Sequence, residues 1–262
     1  MRLPEPTRRG TRPLGDRLRS ITYYRADLAR AHHLGFGFHA DRCAPGILKL
    51  LEPVRARSGV VVELGCGSGL LTRHLLDAGH RVIATDASPA MLDLARQYAS
   101  DAQAIEQVTL PDDSLPMGDA VVSVGHVLSY LPDETSLRRG LVAVARAVRA
   151  GGVLAIDICD LEWARARQGA PDAGWVSEDW ALVTRFSVPT PDRFVRHMAI
   201  FSRNADGSWR RDDERHDNVL VDTATIPGVL AEVGVDATVA SAFGQETLPP
   251  GLRVIVGHRP DA

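Results

Sequence analysis

Lysine is almost absent from this chain of 262 residues. Lys49 is the only lysine among the 30 lysine and arginine residues. A Walker-type phosphate loop needs a lysine beside its glycines, and none stands there. Schiff-base chemistry would depend on Lys49, which lies in the apolar stretch GILKLLEP at a position typical of a helix surface. The composition therefore disfavours both of these function classes.

Cysteine is also scarce. Cys43, Cys66 and Cys159 lie far apart, and none of them forms a C-x-x-C pair. The sequence therefore predicts neither a disulfide framework nor a zinc site. Histidine is present, but neither H-E-x-x-H nor a carboxylate–histidine pair at metal-ligand spacing occurs. We expect no metal cofactor.

Long apolar runs are missing as well. No stretch reaches the roughly 18 apolar residues of a transmembrane helix, and the basic N-terminal segment lacks the apolar core of a secretory signal. A net charge of -3 and a pI near 6.3 lack the basic footprint of a nucleic-acid binder. We expect a cytoplasmic protein with neither membrane nor nucleic-acid partners. Residues 1–17, rich in Pro, Arg and Gly, are predicted to be a disordered tail.

Strand-like and helix-like segments alternate between residues 57 and 160. The apolar run at 60–64 is typical of a buried parallel strand, and RVIATD at 81–86 is the second strand. Ser88-Pro89 then predicts an N-cap followed by proline in the first helical turn. This alternation predicts a doubly wound, mostly parallel α/β sheet with helices on both faces.

Three other segments lie outside this stretch. Residues 18–56 are predicted to form a helical lid with a bend at LGFGFH. Residues 176–222 contain three strand-like runs separated by Pro-Thr-Pro-Asp and Asn-Ala-Asp-Gly, which predict an inserted antiparallel layer. Residues 223–262 are predicted to supply a final helix and the last strands. We expect one domain over 18–262.

The segment VVVELGCGSG, residues 60–69, carries the chemistry. A buried strand enters a glycine-rich turn, and a helix follows. Glycines permit a sharp turn and a close approach of ligand to backbone, while the helix start presents unpaired N–H groups. Asp86 ends the second strand, where a carboxylate can accept hydrogen bonds from ribose hydroxyls.

Two cofactor classes share this arrangement. Dinucleotide binders use G-x-G-x-x-G, whereas Gly65–Gly69 reads G-x-G-x-G. That spacing, preceded by Glu63-Leu64, resembles the first motif of class I S-adenosylmethionine-dependent methyltransferases. TDASPAMLDLAR (85–96) and AVRAGGVLAID (147–157) also resemble segments of that family. The resemblance implies a Rossmann-like fold with a seven-stranded sheet of order 3-2-1-4-5-7-6, in which the last strand is antiparallel.

The resemblance also implies a cofactor site. Gly65, Cys66 and Gly67 are expected near the methionine part of S-adenosylmethionine, Glu63 to act there through water, and Asp86 to hold the ribose. The family often has an acidic residue beside the adenine after the third strand, which this sequence lacks. Four residues are expected beside the adenine, the last two of them through backbone atoms: Ala87, Met91, Thr109 and Leu110. The remaining expected cofactor contacts are Tyr24 in the lid and Gly125 after the fourth strand.

Histidines supply the catalytic candidates. In the family, the position of His126 after the fourth strand faces the transferred methyl group. His126 is either a general base or a residue that packs and orients. His216 shares a strand face with Glu214 and Asn218 by alternation, and that face either lines an acceptor pocket or is solvated.

The lid adds candidates for acceptor contact. His32 and His33 follow Tyr24 in a segment predicted to be helical. Helical spacing would place Tyr24 and Leu28 on one face.

The predicted function is methyl transfer from S-adenosylmethionine to a small-molecule amine or hydroxyl acceptor, with S-adenosylhomocysteine as the product. Such an in-line displacement chiefly requires alignment of the reactants and exclusion of water. A general base is optional for a neutral amine. Two alternatives remain: a protein that binds the cofactor without catalysis, and a nicotinamide-dependent oxidoreductase, which the glycine spacing disfavours.

Overall fold

The computed structural model describes residues 23–261, so the predicted tail at 1–17 lies outside the described residues. Helices and strands alternate through most of the described chain. The helices are α1 (Ala26–Gly35), α2 (Phe38–Leu50), α3 (Glu52–Ala56), α4 (Leu70–Asp77), α5 (Pro89–Tyr98), α6 (Glu134–Ala147), α7 (Glu162–Arg165) and α8 (Ile226–Ala231). None of these helices is long and apolar enough to cross a membrane.

The strands fall into two sheets. They are β1 (Val60–Leu64), β2 (Arg81–Asp86), β3 (Ala104–Gln107), β4 (Gly118–Ser123), β5 (Val148–Cys159), β6 (Ala173–Val176), β7 (Trp180–Thr190), β8 (Arg193–Arg203), β9 (Trp209–Val219), β10 (Asp236–Ala240) and β11 (Leu252–His258). Strands β6 to β9 form one sheet, and the other seven strands form the second.

The seven-stranded sheet has the order β3-β2-β1-β4-β5-β11-β10. Its first five strands pair in parallel, whereas β11 is antiparallel to both β5 and β10. When the seven strands of this sheet are numbered 1 to 7 along the chain, β10 and β11 become strands 6 and 7. The order is then 3-2-1-4-5-7-6, and strand 7 is antiparallel. The predicted fold class and strand order are therefore confirmed.

Apolar side chains cover both faces of this sheet. Val61 packs in a cluster with Ile47 of α2 and Leu75 of α4. Its neighbour Val62 packs on the other face with Leu141 of α6. Successive side chains of a strand point to opposite faces, so the continuous apolar run of β1 is buried from both sides and fixes the strand at the centre of the sheet.

Local sequence determines where the helix beside the predicted ligand site begins. The Ser88 hydroxyl accepts a hydrogen bond from the Met91 amide at 3.2 Å, and Pro89 occupies the first turn of α5. An N-cap side chain satisfies an amide that has no partner within the helix. The predicted cap therefore fixes the point at which the chain leaves β2.

The antiparallel layer has four strands in the order β6-β7-β8-β9, not the three that the sequence predicts. The additional strand, β6, begins before the predicted start of the layer at residue 176. Its sequence AGWV is short and contains a glycine, and it is recognisable only through its pairing with β7.

The lid comprises α1 and α2, with the predicted bend between them. The prediction that Tyr24 and Leu28 share a helical face is wrong. Helix α1 begins at Ala26, and Tyr24 precedes it with φ 56°. The amides of Tyr24 and Arg25 donate to the Glu214 carboxylate at 2.8 and 2.7 Å. A carboxylate from β9 thus satisfies the helix start, which the local sequence does not reveal.

Candidate active site

The glycine-rich turn lies at the carboxyl end of β1. Gly65 and Gly67 have φ values of 70° and 54°, in the left-handed region that favours glycine. A Cβ atom at Gly65 would overlap the γ-methyl groups of Val127, so this glycine permits the turn to pack against the segment after β4. At Gly67 the nearest atom to such a Cβ would be the Met91 sulfur at 3.9 Å. The backbone at Gly67 is therefore open to a ligand.

Asp86 meets this turn from the end of β2. Its Oδ2 accepts a hydrogen bond from the Gly67 amide at 2.9 Å, and its Oδ1 accepts one from the Ser88 amide at 2.8 Å. Burial raises the pKa of the Asp86 carboxyl above its usual value, although these hydrogen bonds oppose the shift. The structure therefore brings together the carboxylate and the glycine turn that the sequence singles out.

Glu63 and Cys66 are buried beneath the turn. Glu63 is 2% exposed, and its Oε2 accepts a hydrogen bond from the Thr72 hydroxyl at 2.6 Å. Burial raises the pKa of Glu63 to about 7. Burial also raises the pKa of the Cys66 thiol well above its usual value. A buried thiol of this kind is unreactive, so Cys66 serves the turn as a small side chain.

The residues predicted to lie beside the adenine follow β2 and β3. Ala87 is exposed, whereas Met91 is 2% exposed and Leu110 packs against the core of the sheet. The Thr109 amide donates to Oδ2 of Asp113 at 2.7 Å. One of the backbone groups expected to meet the adenine is therefore already bonded within the loop.

The loop after β4 is held by a carboxylate that the sequence analysis does not identify. Asp157, at the end of β5, is 1% exposed. It accepts hydrogen bonds from the amides of Gly125 at 3.0 Å and His126 at 2.6 Å, and from His39 Nε2 at 2.9 Å. Burial raises the pKa of Asp157, but His39 and the neighbouring donors lower it by more, to below its usual value. An acidic residue ending the buried strand VLAID is the signal that identifies it.

His126 has an unusual environment. Its φ of 49° is left-handed, and its ring stacks on Tyr130 with 5.5 Å between centroids. Its Nδ1 is buried and has no hydrogen-bond partner among residues 23–261. Burial lowers the pKa of His126 to about 3, with a smaller contribution from Arg196. The ring is therefore neutral near pH 7.

The lid closes over the same edge of the sheet. His33 Nδ1 lies 2.9 Å from the hydroxyl of Ser68 in the glycine turn. The Tyr24 carbonyl accepts a hydrogen bond from Ser88 at 2.8 Å, and the Tyr24 hydroxyl lies 2.9 Å from that of Tyr130. Tyr24 therefore contacts both the predicted cofactor side and the segment after β4.

The remaining lid candidate, His32, is partly buried. Its ring centroid lies 5.3 Å from that of Tyr24, and its Nδ1 has no hydrogen-bond partner in the part of the chain that the structure describes. Burial lowers the pKa of His32 to about 4.

The inner face of the antiparallel sheet covers the site from the opposite side. Glu214, His216 and Asn218 are 5%, 0% and 1% exposed, so the hypothesis of a solvated face is wrong. Oε2 of Glu214 accepts from the Tyr24 amide and lies 2.8 Å from His216 Nε2. Burial lowers the pKa of His216 to about 4, although Glu214 opposes the shift.

These elements converge on what we call the polar cluster: Tyr24, His126, Tyr130, Arg196 and His216. An Arg196 Nη2 group donates to the Tyr130 hydroxyl. The ring centroids of Tyr24 and Tyr130 lie 4.8 and 5.5 Å from that of His216. Tyr130 and Arg196 could not be predicted as site residues from the sequence. Neither lies in a motif, and their proximity depends on the docking of the two sheets.

The described residues contain no group of three or more His, Cys, Asp or Glu side chains arranged to hold a metal ion.

Comparison with known proteins finds methyltransferases over part of the chain. Residues 61–152 match the family described as "Methyltransferase domain". Over 153 residues the chain is 32% identical to an uncharacterized methyltransferase of Mycobacterium tuberculosis, and the match covers 57% of this chain and 56% of that protein. The chain thus spans little more than half the length of this relative.

Solved structures share the fold over a greater length. A sugar N-methyltransferase from Streptoalloteichus has a TM-score of 0.72 at 19% identity, and the match covers 100% of this chain and 99% of that one. An S-adenosylmethionine-bound amino pentose methyltransferase from Micromonospora echinaspora has a TM-score of 0.67 at 18% identity, with 90% and 98% covered. Residues 61–152 thus match a methyltransferase domain, and the chain shares its fold with solved S-adenosylmethionine-dependent methyltransferases.

Proposed function

We propose that this chain transfers a methyl group from S-adenosylmethionine to an amine or hydroxyl group of a small molecule. The observation that carries the proposal is the meeting of two surfaces at one edge of the sheet. The glycine turn and Asp86 lie on one side, and the polar cluster lies on the other. Tyr24 connects them, because it bonds Ser88, two residues after Asp86, and also Tyr130 of the cluster. The similar solved structures whose names specify a sugar N- and an amino pentose methyltransferase support a small amine acceptor.

The residues at the turn fit this cofactor. A Cβ at Gly67 or Gly125 would face open space, apart from the Met91 sulfur. The Asp86 carboxylate has oxygen lone pairs suited to ribose hydroxyls. The residues proposed to hold the cofactor are those that the resemblance implies: Tyr24, Glu63, Gly65, Cys66, Gly67, Asp86, Ala87, Met91, Thr109, Leu110 and Gly125.

When bound, S-adenosylmethionine supplies a methyl group on a positively charged sulfur, which a nucleophile displaces in line. The chain's own residues then have to align the acceptor and exclude water. The contacts of His33 with Ser68 and of Tyr24 with Ser88 hold the lid over the turn. The antiparallel sheet closes the opposite side through Glu214.

His126 and His216 are proposed to orient the acceptor. Each has a buried Nδ1 with no partner among the described residues. A neutral imidazole nitrogen accepts a hydrogen bond from an amine or hydroxyl group. The pKa values of about 3 and 4 make both rings weak general bases. A neutral amine acceptor requires no stronger base.

The first experiment is calorimetric titration with S-adenosylhomocysteine. We expect the wild type to bind and Asp86→Ala to weaken binding by about tenfold or more, because charge-assisted hydrogen bonds to the ribose are lost. Asp93→Ala is the matched control, since Asp93 is an exposed acid of α5 paired with Arg96 at 2.8 Å. Absence of binding by the wild type would contradict the proposal, and binding of a dinucleotide instead would favour an oxidoreductase.

A second experiment tests catalysis. Release of S-adenosylhomocysteine is measured with S-adenosylmethionine and a panel of small amines and hydroxyl compounds. Turnover with a member of the panel is the expected result. Cofactor binding without turnover across the panel would favour the non-catalytic alternative, and turnover on macromolecules alone would contradict a small acceptor.

A further inference from the structure

Among the residues that the structure describes, Arg196 has no carboxylate partner. It lies on the inward face of β8, with Phe194 and Met198 two residues to either side on that face. Its Nη2 donates to the Tyr130 hydroxyl, while its Nε is buried and has no hydrogen-bond partner in the described part of the chain. Within residues 23–261, Arg196 forms no ion pair with an acidic side chain. A guanidinium carries five N–H donors, so most of its hydrogen-bonding capacity faces no anion.

The two buried acids near the cluster are already occupied. Glu214 accepts from two lid amides and contacts His216. Asp157 accepts from two loop amides and contacts His39. Neither carboxylate is bonded to Arg196. Arg196 is partly buried, and withdrawing a charge from water without a counter-charge is costly, so its positive charge favours a ligand that brings its own negative charge.

A second arginine, Arg167, lies near the polar cluster and contacts Trp163. The guanidinium carbon of Arg167 is 3.1 Å from the ring centroid of Trp163, and its Nη1 donates to the carbonyl oxygens of Trp163 and Pro250. Burial lowers the pKa of Arg167, and the charge of Arg196 lowers it further. The Trp163 ring lies 5.5 Å from that of His126. Arg167 and Arg196 together increase the positive potential near the polar cluster.

Further buried donors have no partner in the described part of the chain. They include Trp163 Nε1 and the side-chain amide of Asn218. The aromatic rings of Phe186 and Phe194 stack beside them at 5.8 Å, and the Trp163 ring lies 6.0 Å from Phe194. Unpaired buried donors are costly unless a ligand satisfies them. The region around Arg196 and Trp163 therefore combines positive charge, N–H groups without partners among the described residues, and apolar ring surfaces.

We propose that the methyl acceptor is a small anion, an amino or hydroxy compound whose carboxylate or phosphate group pairs with Arg196. This inference rests on the proposed methyl transfer and specifies its substrate class. A planar guanidinium binds a carboxylate or a phosphate through two parallel N–H groups. The Nε of Arg196 is free for one of them. The anionic group then fixes the acceptor while its amine or hydroxyl group is presented to the histidines of the polar cluster.

The test uses matched pairs of probes with S-adenosylhomocysteine-saturated protein in calorimetry. The pairs are 2-aminobenzoate with aniline, glycine with methylamine, and phosphoethanolamine with ethanolamine. We expect an anionic member to bind at least about tenfold more tightly than its partner that lacks the anion. The first two pairs report a carboxylate and the third a phosphate, so the pattern identifies which anion the site takes.

Variants test whether Arg196 causes the preference for the anionic member of each pair. Arg196→Gln is expected to abolish the preference while S-adenosylhomocysteine affinity stays within about twofold of the wild type. Arg196→Lys keeps the charge without the planar fork, and we expect it to retain part of the preference. Arg185→Gln is the control, because Arg185 is exposed on the neighbouring strand and pairs with Asp172. Thermal unfolding of each variant reports whether it folds.

Three results would overturn the inference. One is equal binding of both members of every pair, another is no binding of any anionic member to the cofactor-saturated wild type, and the third is an unchanged preference in a folded Arg196→Gln. Failure of the wild type to bind S-adenosylhomocysteine is a different result and would contradict the proposed function itself.

Discussion

The two sides of the candidate site are built in different ways. On the cofactor side, partners are close in sequence: Asp86 bonds Gly67 across 19 residues, and Glu63 bonds Thr72 across 9. In the polar cluster, the hydrogen bond between Arg196 and Tyr130 spans 66 residues. The lid is held to Glu214 across 190 residues. The cofactor side is thus encoded locally, and the acceptor side is assembled from distant segments.

The two sides also differ in how completely their polar groups are bonded. Both oxygens of Asp86 have partners, and Glu63 is bonded to Thr72. In contrast, buried nitrogens of His126, His216 and Arg196 have none among residues 23–261. Each such group costs about 1–3 kcal/mol when left unpaired. The polar groups of the proposed cofactor side are therefore bonded within the chain, whereas those of the polar cluster are available to the ligand that we propose.

The largest effect is expected from Gly65→Ala, which tests the packing between the turn and the loop after β4. The positive φ and the overlap with Val127 together should lower the free energy of unfolding by about 3 kcal/mol or more. Gly79→Ala is the control, because Gly79 has φ 83° but open space around a Cβ, and it should cost only about 1 kcal/mol. Denaturant unfolding measures both. Equal losses would show that the contact with Val127 is unimportant.

The lowered pKa of His126 should make the stability of the protein depend on pH. His126 has a folded-state pKa of about 3 against 6.5 in the unfolded chain, so protons bind preferentially to the unfolded state. Its contribution is fully present above pH 6.5 and is lost as the pH falls toward 3. Between pH 6.5 and 4.5 the loss should be about 2 kcal/mol.

His126→Asn should remove this part of the pH dependence, measured as the free energy of unfolding at several pH values. His197→Asn, at an exposed position of β8, should keep the wild-type slope. Identical slopes in both variants would contradict the assignment to His126.

On the proposed cofactor side, Glu63 should give stability a pH dependence of the opposite sign to that of His126. Its folded-state pKa of about 7 lies above the usual 4.5, so protonation favours the folded state. That contribution is present below pH 4.5 and is lost as the pH rises through 7. We expect Glu63→Gln, which keeps the shape and the bond to Thr72, to reduce the stability loss between pH 5 and 7 by about 1–2 kcal/mol. A pH dependence that does not change in this variant would argue against a protonated Glu63.

The smallest effect is expected at the connection between the two sides. Glu214→Gln removes the negative charge at the start of α1 and should weaken lid docking by about 1 kcal/mol. Hydrogen exchange at the Tyr24 and Arg25 amides should then accelerate by about fivefold, with little change in the exchange of β1. Exchange that accelerates equally throughout the chain would indicate global destabilisation instead.

Much of the parallel sheet could be predicted, because its signals are local. The apolar run at 60–64, the cap at Ser88 and the glycine turn each lie within a few residues, and each appears where the sequence indicates. Strand β6 could not be predicted, since AGWV becomes a strand only by pairing with β7. The start of α1 could not be predicted either, because the carboxylate that satisfies it comes from Glu214.

The sequence by itself determined the order of the parallel sheet and the juxtaposition of the glycine turn with Asp86. The strand order is what the resemblance of the motifs to the methyltransferase family implies, and the juxtaposition follows from the geometry of a strand–turn–helix unit. Tertiary structure alone decided that Arg196, Tyr130, His126 and His216 meet. Their contacts depend on how the antiparallel sheet and the lid dock on the parallel one. Burial and the absence of bonding partners are properties of that docking, and no local pattern of residues encodes them.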